Sequence, residues 1–182
     1  MALSKQKIWT IADFMEFVFR PENEDQIFEL INGEIVEKMP GRTRNSELSL
    51  VVTSLVRPFC RSHGLPCHIS GEAGAYDIQG SVVAPDFAYK RTPTSGEYPD
   101  PVAPAWIIEI ISPTDKAPDI RKKRQIYIRA GILYWEMYPE SESIDVYAPG
   151  QPMYAVEIDG TLDVGDLIPG LTIPAKEIFA ED

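Results

Sequence analysis

The chain has 182 residues, 44% of them hydrophobic and 25% charged, with a formal net charge of -11. That composition suits a folded domain long enough to bury a core, and the charge argues against indiscriminate nucleic-acid binding, which leans on positive charge. No apolar run approaches the ~20 residues needed to span a bilayer. The opening MALSKQKIWT lacks the apolar segment of a signal peptide. A single cytoplasmic domain over residues 1–182, with no membrane attachment, is therefore expected.

In chain order, Thr10 and Asp13 read as the N-cap and first-turn acid of a helix over 11–20 that buries Ile11, Phe14, Met15 and Val18. IFELINGEIVEK (27–38) alternates like a half-buried hairpin, with Asn32-Gly33 as its type I′ turn. Residues 39–44 read as a loop. A second helix runs from Asn45 or Ser46 to about Cys60, with Leu48, Val51, Val52, Leu55, Val56 and Phe59 as its apolar stripe. Glu47 in its first turn either answers the helix dipole or serves as a further metal ligand. Residues 66–79 read as extended, bent near Gly71 and Gly74, and VVAPDFAYK (82–90) as another strand that carries Asp86. Residues 91–104, with four prolines, form a long irregular loop of the kind that flanks sites.

The two cysteines cannot frame a disulfide-built fold. Cys60, His63, Cys67 and His68 invite a zinc reading. Cys67 and His68 are neighbours in an apparent strand, however, and point to opposite faces. The plainer account is a buried Cys60 at a helix end and two ordinary histidines near a turn.

The centre of the chain is residues 105–139. Ala105–Ile111 is apolar except for Glu109, the composition of a strand buried on both faces. Ser112-Pro113 ends it. A helix over 115–130 follows, with Gly131 at its C-terminal turn, and a strand over 132–138 closes a βαβ unit. Ile120, Ile126, Tyr127 and Ala130 share one helical face, and Lys123 lies at its centre. Arg121, Lys122 and Arg129 point elsewhere and read as solvated. A buried lysine and a buried glutamate are each costly alone, so Glu109 and Lys123 are expected to meet. They form either a structural ion pair or part of a functional site. With Asp86 they make a trio in apolar surroundings. Two carboxylates on neighbouring strands suit a hard divalent cation, and a lysine beside them suits stabilising a phosphate. Residues 144–147 and 153–158 read as later strands, and Ile178-Phe179 as a hydrophobic clasp for the end of the chain.

Pro85-Asp86, then Glu109 in an apolar strand, then a helix with an inward lysine, resembles the PD-(D/E)XK nuclease superfamily. More narrowly, FELINGEIVEKMP (28–40), APDFAYK (84–90), WIIEIISPTDKAPDIRKKRQIYIRAGILYWEMYPESESIDVY (106–147) and GDLIPGLTIPAKEIF (165–179) resemble the Uma-two family of cyanobacterial-type restriction endonucleases. The resemblance implies an α/β fold, a restriction-endonuclease-like mixed β-sheet flanked by helices, with the site at the edge where Asp86 and Glu109 meet. It implies a Mg²⁺-dependent endonuclease, with Mn²⁺ as a possible substitute, that hydrolyses DNA; duplex cleavage usually needs two active sites, which suggests a homodimer. Asp86 and Glu109 would hold the metal, Lys123 would be the catalytic lysine, and Tyr127 would buttress it. The superfamily's lysine two residues after the glutamate is replaced by Ile111, and Asn45 stands where many relatives carry histidine. The rival reading is a catalytically inactive nuclease fold kept for binding or dimerisation.

Overall fold

The computed structural model describes residues 7–39 and 41–180; the opening MALSKQ, read above for targeting, and Pro40 of the 39–44 loop lie outside them. Helix α1 (Ile11–Val18) starts at a capping box in which Thr10 and Asp13 exchange side-chain and backbone bonds. A short 3₁₀ turn, Pro21–Asn23, leads to the hairpin β1 (Ile27–Ile31) and β2 (Glu34–Lys38). Asn32 and Gly33 both have positive φ, 50° and 82°, as a type I′ turn requires. Helix α2 (Thr43–Ser62) begins two residues earlier than expected and runs on to Ser62, with Arg42 at its N-cap.

Strands β3 (His68–Gly71), β4 (Tyr76–Ile78), β5 (Ser81–Val83) and β6 (Phe87–Lys90) follow. Here the sequence reading needs two corrections. Residues 66–79 form two strands, β3 and β4, in different sheets, and 82–90 form β5 and β6, again in different sheets. The physical cause at the second crossing is Pro85, which has no amide hydrogen for a ladder and a fixed φ. The chain leaves one sheet at Ala84 and enters the other at Phe87, with Asp86 on the connecting stretch. The βαβ unit comprises β7 (Trp106–Ile110), α3 (Ala117–Arg129) and β8 (Leu133–Tyr138), and its two strands pair in parallel. Helix α3 starts two residues later than the sequence suggests, with Lys116 at its N-cap. The chain ends through β9 (Ser143–Tyr147), β10 (Tyr154–Val156), β11 (Thr161–Asp163), a 3₁₀ turn Gly165–Leu167, β12 (Thr172–Pro174) and α4 (Ala175–Phe179).

Among the described residues there is a four-stranded sheet, β2-β1-β5-β4, a six-stranded mixed sheet, β10-β9-β8-β7-β6-β3, and the pair β11-β12. Alternation along the six-stranded sheet sorts its two faces. Trp106, Ile108 and Ile110 of β7 and Leu133, Trp135 and Met137 of β8 pack with Leu48, Val52 and Val56 of α2 and with Ile178 and Phe179 of α4. The opposite face, with Ile107 and Tyr134, packs with Ile126 and Tyr127 of α3 and with Ile31, Ile78 and Val83 of the smaller sheet. Glu109 and Glu136 lie on this second face, side by side in register. Helix α1 caps the far side of the small sheet, where Phe14 is fully buried; Ile11, Met15 and Val18 are only partly buried. Ile178 and Phe179 close the core as expected.

Candidate active site

Lys123 reaches Glu109 as the βαβ pattern requires: its Nζ lies 2.6 Å from Glu109 Oε1. The same ammonium lies 3.0 Å from Oε1 of Glu29, a residue of the hairpin that sequence reasoning passed over. Glu29 also accepts a 2.8 Å bond from the Ala84 amide, at the point where the chain crosses between sheets. Tyr127, one turn beyond Lys123, donates to Glu109 Oε1 at 2.6 Å. It therefore buttresses the glutamate, where the sequence reading had it buttress the lysine.

Asp86 is held from both sides. Its Oδ2 accepts from the Ile110 amide at 2.8 Å, which seats it beside Glu109. Its Oδ1 lies 3.3 Å from Lys38 Nζ at the end of the hairpin, and Lys38 also donates to the Ala84 carbonyl at 2.5 Å. Helix α2 ties down the backbone of both carboxylate segments: Asn45 Nδ2 donates to the Ile110 carbonyl at 3.0 Å, and Ser49 Oγ to the Asp86 carbonyl at 2.7 Å. Asn45 thus has a positioning contact. Glu47, weighed above as a ligand, instead pairs with Arg44 at 2.9 Å and is largely exposed.

Asp86, Glu109, Lys123, Glu29, Lys38 and Asn45 all line one cleft of ≈ 990 Å³, walled by the hairpin, the start of α2, residues 70–74 and the start of α3. The site lies at the seam of the two sheets, where the expectation put it at an edge. Around it, three carboxylates face two ammonium groups, so the cluster carries a surplus negative charge whenever Glu109 is ionised. Burial pushes the Glu109 carboxyl up to about 7; Lys123 and Lys38 oppose this, while Asp86 and Glu29 add to it. Burial works against the Lys123 ammonium too, but Glu109 and then Glu29 hold it well above its usual value. Tyr127 is likewise kept protonated, by burial first and by Glu109 second, and so stays a donor.

The sign of the pH effect follows. A carboxyl that ionises near 4.5 when unfolded and near 7 when folded binds more protons in the native state across that interval. Its contribution to stability therefore falls as pH rises from about 4.5 to about 7. The thermal midpoint of metal-free protein, compared with Glu109→Gln over that window, is expected to show this decline in the parent and not in the variant. Parallel profiles would remove Glu109 as the titrating group.

The donor set tests whether a divalent cation suits the cleft. The protein bonds to Glu109 fall on Oε1, leaving Oε2 without a protein donor among the described residues. Those residues hold no group of three or more His, Cys, Asp and Glu arranged as a metal cage. The Asp86 oxygens already accept from the Ile110 amide and face Lys38, and each keeps a further lone pair; with Glu109 Oε2 they suit a cation such as Mg²⁺, which keeps several waters and uses one or two carboxylates with substrate phosphate.

A second buried carboxylate adjoins this centre. Glu136, the register partner of Glu109, is fully buried. Arg124 grips it with two 2.6 Å bonds from Nε and Nη2, and the Tyr134 and Tyr138 hydroxyls add bonds of 3.0 and 2.8 Å. Consecutive residues of α3, Lys123 and Arg124, thus engage adjacent strands. Lys122, expected in solvent, bonds Glu34 at 2.5 Å, and Arg129 contacts Asn32 at 3.2 Å. Three of the five basic residues of α3, Lys122, Lys123 and Arg124, are thus paired with acids.

With this geometry in hand, comparison with known proteins places the chain. The model of the Uma2 family, described as "putative restriction endonuclease", matches residues 12–176. The chain belongs to the Uma2 family. The fold of this Uma2 chain is similar to that of a crystal structure described as a "putative nuclease belonging to DUF820" from Anabaena variabilis, with a TM-score of 0.77. The two share 21% identity, and the match covers 93% of this chain and 97% of that one. No curated protein matches the chain. Among the described residues, no helix is long and apolar enough to cross a membrane.

Proposed function

We propose that this Uma2 chain is a Mg²⁺-dependent endonuclease that hydrolyses DNA phosphodiester bonds, with Asp86 and Glu109 as metal ligands and Lys123 as catalytic lysine. The observation that carries the reading is Lys123 held between the buried Glu29 and Glu109, with Asp86 seated beside Glu109 and only Lys38 as a second cation, all open to one cleft. A purely structural pair would be expected to balance its charges and close over them. A cation held by Asp86 and Glu109 would supply Lewis acidity toward a phosphoryl oxygen and lower the pKa of a water.

The chain's own groups divide the remaining work. Lys123 is an ammonium fixed by two carboxylates, so it can donate a hydrogen bond to a phosphate oxygen without having to reorganise. Tyr127 fixes the Glu109 side chain so that Oε2 remains for a ligand. Lys38 and the Ile110 amide hold Asp86 in one orientation, and Asn45 and Ser49 brace the backbone on which both carboxylates stand. Cleavage of both strands of a duplex requires two such centres or two successive encounters, and we propose a homodimer for this reason.

The test is twofold. Calorimetric titration with Mg²⁺ or Mn²⁺ is expected to show one binding event in the parent that is lost in Asp86→Asn and in Glu109→Gln. Incubation with plasmid is expected to give metal-dependent nicking in the parent and none in either variant. A parent that binds neither cation would return the chain to the rival reading, a nuclease fold kept for binding or dimerisation.

A further inference from the structure

We infer that DNA is held along the outer face of α2, by a stripe of arginines that leads out of the cleft; this rests on the endonuclease reading above. Helix α3 carries more basic residues, and three of them are spent internally: Lys122 on Glu34, Lys123 on Glu29 and Glu109, Arg124 on Glu136; Arg121 and Arg129 make no ion pair among the described residues. Helix α2 groups its unpaired cations in one place. Arg57 and Arg61, one turn apart, are exposed and make no ion pair among the described residues. They line a shallow hollow of ≈ 510 Å³ with Leu50, Thr53, Ser54, Pro58 and Ser62, and no carboxylate borders it.

The hollow continues the cleft. Leu50 lines both, and Arg42, Ser46 and Ser49 of the same helical face line the cleft. Arg42 meets Glu140 at 3.7 Å with both side chains more than half exposed, a pairing weak enough to exchange for another anion. From Arg42 to Arg61 the stripe runs about 28 Å along the helix axis, at 1.5 Å per residue. That span matches the rise of roughly eight nucleotides in a DNA strand. The hydroxyls of Thr53, Ser54 and Ser62 donate back to the helix's own carbonyls, so the arginines supply the donors. In a chain of net charge -11, an acid-free hollow with two unpaired arginines that adjoins the carboxylate cleft is complementary to a phosphodiester backbone. Arginine contacts to phosphate fix position and carry no sequence information, so the track is read as positioning DNA.

The experiment measures binding of a fluorescent 30-base-pair duplex, by anisotropy in EDTA across a series of salt concentrations. The proteins compared are the parent, Arg57→Gln/Arg61→Gln and Arg121→Gln. The double variant is expected to bind at least about ten-fold more weakly, with a salt slope lower by about 2. Arg121→Gln, an exposed cation on α3, is expected to bind as the parent does. Equal affinity and slope in parent and double variant, or a parent with no affinity for the duplex, would overturn the inference. So would a double variant that changes subunit assembly in sedimentation while keeping its slope, since the face would then be a contact between copies. Hydrolysis of bis(p-nitrophenyl) phosphate by the parent with Mn²⁺ needs no DNA track, and it scores the endonuclease reading separately.

Discussion

Lys123→Met is expected to lower DNA cleavage by about two to three orders of magnitude, the usual cost of removing one preorganised donor from a reacting centre. Methionine keeps much of the apolar stem, so packing beside Ile120 and Tyr127 survives. Divalent-cation binding is expected to persist and to tighten, because the ammonium that shares Glu29 and Glu109 is gone. The same change leaves three carboxylates with only Lys38 for balance. Metal-free stability is therefore expected to drop by about 3–5 kcal/mol, the range for breaking a buried pair on one side. Saturating Mg²⁺ should restore part of that loss, since a ligand bound only to the native state stabilises it. Cleavage, calorimetry and thermal melts on one preparation check all three. Parental cleavage rates in the variant would remove Lys123 from the reacting centre.

The second large effect lies one residue on. Arg124→Met is expected to destabilise the protein by about 3–5 kcal/mol, because it strands the Glu136 carboxylate with only two tyrosine hydroxyls in a fully buried site. For a chain of this size that is a fall of about 6–20 °C in thermal midpoint. Arg124→Met combined with Glu136→Met is expected to recover most of the loss, since an apolar pair of similar volume avoids the buried charge. A double variant no more stable than the single would show that the stranded Glu136 carboxylate is not the source of the effect, and that the loss comes from Arg124 itself.

Much of the site was legible because its residues break a pattern. Glu109 is the single charge in an apolar strand, and Lys123 sits in the middle of an apolar helical face; two such anomalies in one βαβ unit find each other. Asp86 was legible from Pro85 and its family resemblance. Glu29 was not, since in an alternating hairpin an acidic residue reads as solvent-facing. Its burial comes from the six-stranded sheet and α3 covering the second face of β1, and a single strand's alternation cannot report on a distant cover. The clue was Ile31, apolar on the same face two residues on. The Arg124–Glu136 pair was hidden for a related reason: Arg124 counts among many basic residues on α3, and only the parallel pairing of β7 with β8 puts Glu136 beneath it. The two sheet crossings were missed because Gly71 and Gly74 were read as a bend within one extended segment, and Pro85 was read inside one strand. A strand that kinks and a strand that changes sheets have the same local sequence.

The seam between the sheets bears on how the protein is made. Its five charged groups come from opposite ends of the chain's order: Glu29 and Lys38 emerge early from the ribosome, Asp86 midway, and Glu109 and Lys123 later still. The early hairpin can form locally, but its carboxylate has no ammonium to meet until α3 has been synthesised and has docked. A growing polypeptide therefore holds no assembled centre through its first 120 or so residues. If the centre cuts DNA, that order of arrival keeps it inert for most of translation, with no inhibitor required.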